Sequence, residues 1–241
     1  MGLIKTNGII IAEHNMGDFD KMVTMLTPGF GKIGCAAKGA RRPKSLLLAG
    51  SQFLCFGEYL LYKGSGSYHI NSCETIELFY SLRTDLEKLS YASHITRIVS
   101  DVTDENQNTY KILQLFLNTL YMMSQTNANL ELITSIFELR LLCILGFSPH
   151  IKDCKGCKNH ETGYFSIKDN GFKCKECAKL DTSCIAIGKA TVNAIQYIVL
   201  APAKKLFSFH LSGEGIKELS LIAKLYTNEK LEKEYRLDPI F

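Results

Sequence analysis

The chain has 241 residues, 46% of them hydrophobic and 22% charged, enough apolar material for one large core or two modest ones. Its formal net charge of +4 names no partner by itself. No apolar run approaches the roughly 18 residues that argue for a membrane span, and no low-complexity tract or fixed-period repeat appears.

Met1-Gly-Leu-Ile-Lys-Thr6 has no long apolar run behind its lysine, so it is not expected to act as a secretory signal. It fits the loose pattern for myristoylation at Gly2, a reading the retained Met1 speaks against. The next stretch is rich in β-branched and apolar residues. Strands are expected at Thr6 to Ala12, Met22 to Thr27, Lys32 to Ala37, Gln52 to Tyr62 and Tyr68 to Ile76, with turns at Pro28-Gly29 and Gly64-Ser-Gly-Ser67. About five short strands with glycine-rich turns suggest a small barrel. The fourth strand is apolar on both faces, with Phe53, Cys55, Tyr59 and Leu61 on one and Leu54, Phe56, Leu60 and Tyr62 on the other.

Charge is unevenly spread over this region. From Lys21 to Gly57 there are six basic residues (Lys21, Lys32, Lys38, Arg41, Arg42 and Lys44) and no acid, in a chain with 24 carboxylates. Lys38-Gly-Ala-Arg41-Arg42-Pro-Lys44-Ser45 reads as a flexible loop broken by Gly39 and Pro43. Such a loop can track phosphates on one strand or two. About five cations on phosphates would give a log–log salt slope of roughly −3.5 to −4.5. The bland alternative is a solvated surface loop. Phe30, Phe53, Tyr59, Tyr62 and Tyr68 could stack on bases, but such aromatics are more often core.

Past residue 79 the period becomes helical. Thr84-Asp-Leu-Glu87 has the form of a capping box, and Leu86, Leu89, Ile95, Ile98 and Val102 continue at helical spacing. Further helices are expected over 109–124, 130–145, 188–199 and 214–226. Asn129 is placed to cap the second of these, and Gly146 and Pro149 to end it. Leu141-Leu-Cys-Ile-Leu145 is apolar all round, which suits the centre of a bundle. The segment from Glu232 to Phe241 is expected to be ordered only by docking.

Cysteine placement carries the sharpest chemical signal. Cys35, Cys55, Cys73 and Cys143 stand singly in apolar runs, as small core residues do. The odd total of nine argues against a disulfide framework. Cys154-Lys-Gly-Cys157, sixteen residues, then Cys174-Lys-Glu-Cys177 is a pair of CxxC turns at zinc-ribbon spacing. Each turn points two sulfurs the same way, and two facing turns make a tetrahedral thiolate cage. Lys152, Lys155, Lys173 and Lys175 would favour its thiolates.

Structural Zn2+ is the expected occupant, with an iron–sulfur cluster, disulfides or reduced thiols as alternatives. Four thiolates leave no open position for an activated water. His160 is a substitute ligand in principle, and Cys184 is read as core or partly exposed. Between the knuckles, Tyr164 to Ile167 and Asn170-Gly171-Phe172 suggest a hairpin.

Motifs for catalysis are absent. Gly34-Cys-Ala-Ala-Lys-Gly39 has the glycine spacing of a phosphate loop but runs into Ala40. There is no HExxH, and no His-x-Glu precedes the CxxC pairs. Asp18 and Asp20 read as solvated carboxylates.

The order of these features resembles one family. Gly8-Ile-Ile-Ile11, Asp18-Phe-Asp-Lys-Met-Val-Thr-Met-Leu-Thr27, Gly31-Lys32 and Ala37-Lys-Gly-Ala-Arg-Arg-Pro-Lys-Ser45 are similar to the start of the RecO family of bacterial recombination mediators. So are Leu82-Arg-Thr-Asp-Leu86 with Tyr91-Ala-Ser93, and Phe137-Glu-Leu-Arg-Leu-Leu142 with Gly146-Phe-Ser-Pro149. The resemblance spans about residues 8–180. Beyond that the match is in helical character only.

It implies an α+β protein: an OB-fold barrel over 1–78, then a mostly helical domain over 79–241 carrying a zinc module at 152–180. It implies no enzyme activity, binding of single- and double-stranded DNA, and annealing of complementary strands. It also implies help in loading RecA onto DNA coated by single-strand-binding protein (SSB), with RecR as partner, in the cytoplasm at the nucleoid. DNA contact falls on the barrel, where Lys38, Arg41, Arg42 and Lys44 fit, with Lys32 and Lys21 nearby. A pocket for the SSB C-terminal tail belongs to the helical domain, with Lys189, Lys204 and Lys205 as candidates by charge. Family members without the cysteines imply that zinc is not required for the activity in general. An RNA-binding protein of the same build, a non-catalytic interaction adaptor and an unrecognised hydrolase remain open as rivals.

Overall fold

The computed structural model describes residues 2–64, 67–127 and 129–237. It divides into two compact units, Met1–Leu120 and Tyr121–Phe241.

The first unit opens with β1 (Leu3–Met16), β2 (Asp20–Thr27) and β3 (Gly31–Ala37), followed by a single helical turn, α1 (Leu47–Gly50), and then β4 (Phe56–Lys63) and β5 (Tyr68–Glu77). They form a closed five-stranded barrel in the order β1-β2-β3-β5-β4. Closure depends on the long β1, whose first half pairs with β4 and whose second half pairs with β2. A bulge between Ile10 and Ala12 bends it from one partner to the other. Gly8, two residues before the bulge, pairs with Gly57 of β4, and a Cβ on it would stand 2.5 Å from the Met25 sulfur. β3 and β5 complete the ring as a parallel pair at Cys35↔Tyr68 and Ala36↔His69.

Inward-facing Ile10, Val23, Met25, Ile33, Cys35, Tyr59 and Leu61 fill the barrel. Tyr59 is fully buried, and its hydroxyl donates to the Gly50 carbonyl at 2.8 Å, which satisfies its one polar atom. The strand expected from Gln52 begins only at Phe56. Residues 52–55 turn instead, with Leu54 at φ +63. Of the turn expected at Gly64 to Ser67, residues 65 and 66 lie outside the described residues.

Short α2 (Tyr80–Thr84), α3 (Leu86–Asp101) and the start of α4 (Tyr110–Ser124) complete this unit. The cap of α3 is one residue later than expected. The Asp85 carboxylate accepts from the Lys88 N–H at 3.1 Å, while the Thr84 hydroxyl donates back to the Tyr80 carbonyl. The α3–α4 connection seals the β2–β3 turn. The Lys32 N–H donates to the Asp104 carbonyl, Asn106 to Phe30, and Thr109 to Pro28.

In the second unit α5 (Leu130–Ile144) packs against two later helices, α7 (Lys189–Leu200) and α8 (Gly213–Lys230). Asn129 caps α5 through the Leu132 N–H at 2.9 Å, and Gly146 follows it at φ +93. Phe137, Leu139, Leu141 and Leu142 are fully buried, but Cys143, Ile144 and Leu145 at the end of the all-apolar run are only half-buried. Between α5 and α7 lies a small module. β6 (Tyr164–Ser166) and β7 (Gly171–Lys173) form the expected hairpin, α6 (Lys175–Ala178) follows, and β8 (Cys184–Ala186) adds a third strand in the order β7-β6-β8. Phe165 meets Phe172 edge-on at 6.1 Å and Tyr226 of α8 at 5.5 Å, fixing the module to the bundle. The terminal segment docks on α8: Tyr235 is buried and its N–H donates to the Asn228 side chain, while residues 238–241 lie outside the described residues.

Candidate nucleic-acid interface and metal centre

The basic segment leaves β3 at Ala37 and, contrary to the expectation of a flexible loop, folds as successive tight turns. The Ala40 N–H donates to Ala37, Arg42 to Gly39, and Ser45 to Arg42. Ala40 is fully buried in the barrel core, and Leu47 is buried at the other end, so both ends are anchored. Gly39 takes φ +64, and its N–H donates to the Asp20 carboxylate at 2.7 Å. The loop also grips the β1–β2 turn: the Arg41 backbone N–H donates to the Phe19 carbonyl at 2.9 Å, and its guanidinium to the Gly17 carbonyl at 3.1 Å. The Arg42 guanidinium lies over the Phe19 ring, 5.4 Å from its centroid.

Lys38, Arg41, Arg42 and Lys44 are all exposed on this platform. Lys21 and Lys32 are not part of it. The Lys21 ammonium is paired with Glu13 at 2.6 Å and its side chain is only 13% exposed. The Lys32 ammonium donates to the Ser100 carbonyl. Each of these two ammonium groups already has a partner within the fold, whereas the four loop cations are exposed.

The aromatics singled out from sequence are mostly structural. Tyr59 and Tyr68 are buried, Phe30 packs beside Tyr68 at 6.5 Å, and Phe53 is half-buried. Tyr62 reaches the surface on β4, beside His69. The exposed aromatic that touches the basic loop is Phe19, at 48% exposure, which sequence reasoning missed. Gly17 and the flanking Asp18 and Asp20 hint at a surface turn there.

In the second unit the sulfurs of Cys154, Cys157, Cys174 and Cys177 lie within 4.8 Å of one another. A metal–sulfur bond of about 2.3 Å places tetrahedral sulfurs about 3.8 Å apart, so this donor set fits a single metal ion. The 3.5 Å between Cys157 and Cys174 is far beyond a disulfide bond, and all nine cysteines are free. The first knuckle is shaped by backbone bonds from Lys158 N–H to Cys154 and from Cys154 N–H to Asn159, with Lys158 at φ +66. Cys174 starts α6, and its carbonyl accepts from Ala178.

Burial opposes ionisation of Cys154, but backbone N–H donors at Cys174, Cys157 and Gly156 outweigh it and bring the thiol down to about 6. Cys177, whose thiol hydrogen-bonds to the sulfurs of Cys157, Cys154 and Cys174, is pushed up to about 12. A cation held among the four sulfurs would favour their thiolate forms. Neither His160 nor Cys184 joins the cluster among the described residues. Lys173, expected to favour thiolates, turns away: its buried ammonium pairs with Asp181 at 2.9 Å and with Asp169. The Ser166 hydroxyl, Lys173 and the Ser183 hydroxyl hold the Asp181 carboxyl far below the usual range.

Lys189 and the pair Lys204 and Lys205 are exposed, but they flank opposite ends of α7. Lys189 is the first residue of that twelve-residue helix, and Lys204 and Lys205 lie in the 3-10 turn that follows it. No helix among the described residues is long and apolar enough to cross a membrane.

Comparison with known families settles the kinship. The family described as "Recombination protein O N terminal" matches residues 1–79, and "Recombination protein O C terminal" matches residues 83–238. The chain belongs to the RecO family. It is 44% identical to the DNA repair protein RecO of Acetivibrio thermocellus over 237 residues, 98% of this chain and 94% of the relative. It is 34% identical to the DNA repair protein RecO of Alkaliphilus metalliredigens, covering 96% of this chain and 95% of that one. For the DNA repair protein RecO of Bacillus subtilis the identity is 31%, over 94% and 89%. The N-terminal RecO match ends at residue 79, just past β5, and so corresponds to the closed barrel. The C-terminal RecO match takes in both the helices and the cysteine module.

Proposed function

We propose that this RecO-family DNA repair protein is a non-catalytic mediator that binds single- and double-stranded DNA and anneals complementary strands. In this reading it works with RecR to help RecA load onto SSB-coated DNA, in the cytoplasm at the nucleoid. The observation that carries the proposal is the gathering of Lys38, Arg41, Arg42 and Lys44 on one anchored, exposed loop of a closed barrel.

Annealing needs no group that makes or breaks a bond. Two phosphate backbones repel each other, and a cationic surface held between them lowers that repulsion while base pairing supplies the driving force. An anchored loop suits this role because its cations are held in position before DNA arrives. Phosphate contacts carry no sequence information, so binding should be indifferent to sequence.

The four cysteines would hold Zn2+, which closes its coordination shell with thiolates and so acts by stabilising the fold. Around it the protein supplies the knuckle backbone donors that favour Cys154 thiolate, and the Phe165–Phe172 pair that carries the module onto α8.

The test is annealing of complementary strands coated with SSB, with and without RecR, alongside a zinc determination on the same sample. Annealing that RecR enhances, with one zinc per chain, is expected. Failure to shift any oligonucleotide at low salt would favour an interaction adaptor. Preference for RNA over single-stranded DNA at fixed salt would favour an RNA-binding protein.

A further inference from the structure

We propose that Phe19 is a base-stacking residue that gives the barrel a contact specific to unpaired DNA. The inference rests on the reading of the basic loop as a DNA-backbone site. Phe19 stands at the tip of the β1–β2 turn with 48% of its surface exposed, although it is a large aromatic next to a well-filled barrel. Nothing in the core requires it there. It is bound to the basic loop twice, through its carbonyl to the Arg41 N–H and through its ring to the Arg42 guanidinium. Gly17 at φ +58 and the Arg41 guanidinium on its carbonyl fix the turn that presents it. Asp20, the nearer carboxylate on β2, is engaged by the Gly39 N–H and helps hold the loop. Asp18 is exposed.

The occupant follows from charge and geometry. A ring that packs on the Arg42 guanidinium and is joined to the loop carrying Lys38, Arg41 and Lys44 favours an anionic partner with a flat apolar face. A nucleotide is such a partner: its phosphate meets an arginine while its base lies on the ring. Every base has a π-face, so the contact tolerates any sequence. Bases in a duplex are already stacked and paired, so this contact is open only to single strands. The lysines and arginines serve both forms of DNA, and Phe19 adds to single-strand affinity alone.

The chain contains no tryptophan, so Phe19→Trp provides a single fluorescent reporter at the site. Full-length protein is titrated with oligo(dT) and with a hairpin duplex at one salt concentration, comparing wild type, Phe19→Ala, Phe19→Leu, Phe19→Trp and the Arg41→Glu, Arg42→Glu double variant. Expected for Phe19→Ala and Phe19→Leu is a loss of oligo(dT) affinity of about 5- to 100-fold. Duplex affinity and salt slope should be unchanged, and oligo(dT) alone should quench the Phe19→Trp fluorescence.

Unchanged oligo(dT) affinity in Phe19→Ala, with binding lost in the arginine variant, overturns the stacking role and leaves the backbone site standing. Equal losses for both DNA forms with an unquenched tryptophan mean the ring only props the loop, which also overturns it. A shift in oligomeric state in place of a DNA effect would make the patch a contact between copies. No effect from the arginine reversal brings down the backbone site itself.

Discussion

Asp20 and Gly39 face each other across the base of the loop, the glycine N–H donating to the carboxylate at 2.7 Å. This single bond joins the first residue of β2 to the turn that displays the four cations. Asp20→Ala removes the acceptor, and amide exchange across residues 38–44 should speed up at least tenfold, equivalent to about 1.4 kcal/mol. Asp20→Asn keeps an acceptor and should hold exchange near wild type. Equal protection in all three proteins would show that the bond does not order the loop.

Gly31 joins β3 to the α3–α4 connection at φ +69, and a Cβ there would lie 2.0 Å from the Asp104 carbonyl oxygen. Gly31→Ala forces this connection away from the barrel and breaks the Lys32–Asp104 and Asn106–Phe30 bonds. A loss of roughly 3 kcal/mol in urea unfolding is expected. A neutral result would mean that this seal contributes little.

The sequence made some of this legible and not the rest, for reasons that can be located. β-branched runs such as Gly8 to Ile11 announce strands because burial and backbone preference agree there. β1 nevertheless runs from Leu3 to Met16 through Lys5, Asn7, His14 and Asn15, polar residues that pair with β4 and β2 and look like loop in one dimension. Residues 52–55 fooled the period in the other direction, because an apolar turn filling a core resembles a strand. Cysteine spacing found the four-cysteine cluster because CxxC geometry is local. The acid-free window could not show that Lys21 is matched by Glu13 across a strand pair or Lys32 by a carbonyl on α3. Phe19 escaped because exposure of an aromatic is a tertiary property.

The metal centre predicts a strong local dependence on its ion. Chelation, or Cys154→Ser with Cys177→Ser, should remove one metal per chain and melt β6, β7 and β8. Structural zinc contributes on the order of 10 kcal/mol to such folding. Proteolysis mapped by mass spectrometry should then cut within 152–187. Resistance to cleavage after metal removal would mean that packing alone holds the module.

Cys35 is fully buried, and burial pushes its thiol up to about 12 from a usual 9.0. Between those values the unfolded chain has given up a proton that the native chain keeps. Stability from this group is therefore present below about pH 9 and falls as pH rises towards 12. Cys35→Ala should unfold with a shallower pH dependence over that window, measured by urea midpoints. Identical slopes would show that Cys35 ionises freely in the folded state.

In the proposed function, DNA binding rests on the four cations of the 38–44 loop. If Lys38, Arg41, Arg42 and Lys44 each neutralise one phosphate, log affinity should fall with log salt at about −2.8 for single strands and about −3.6 for duplex. Arg41→Glu with Arg42→Glu should weaken binding to every sequence alike and cut the slope by at least half. Salt titrations of wild type and this variant on both DNA forms give the answer directly. A wild-type slope near zero, or a variant that binds with the affinity and slope of wild type, would contradict the account.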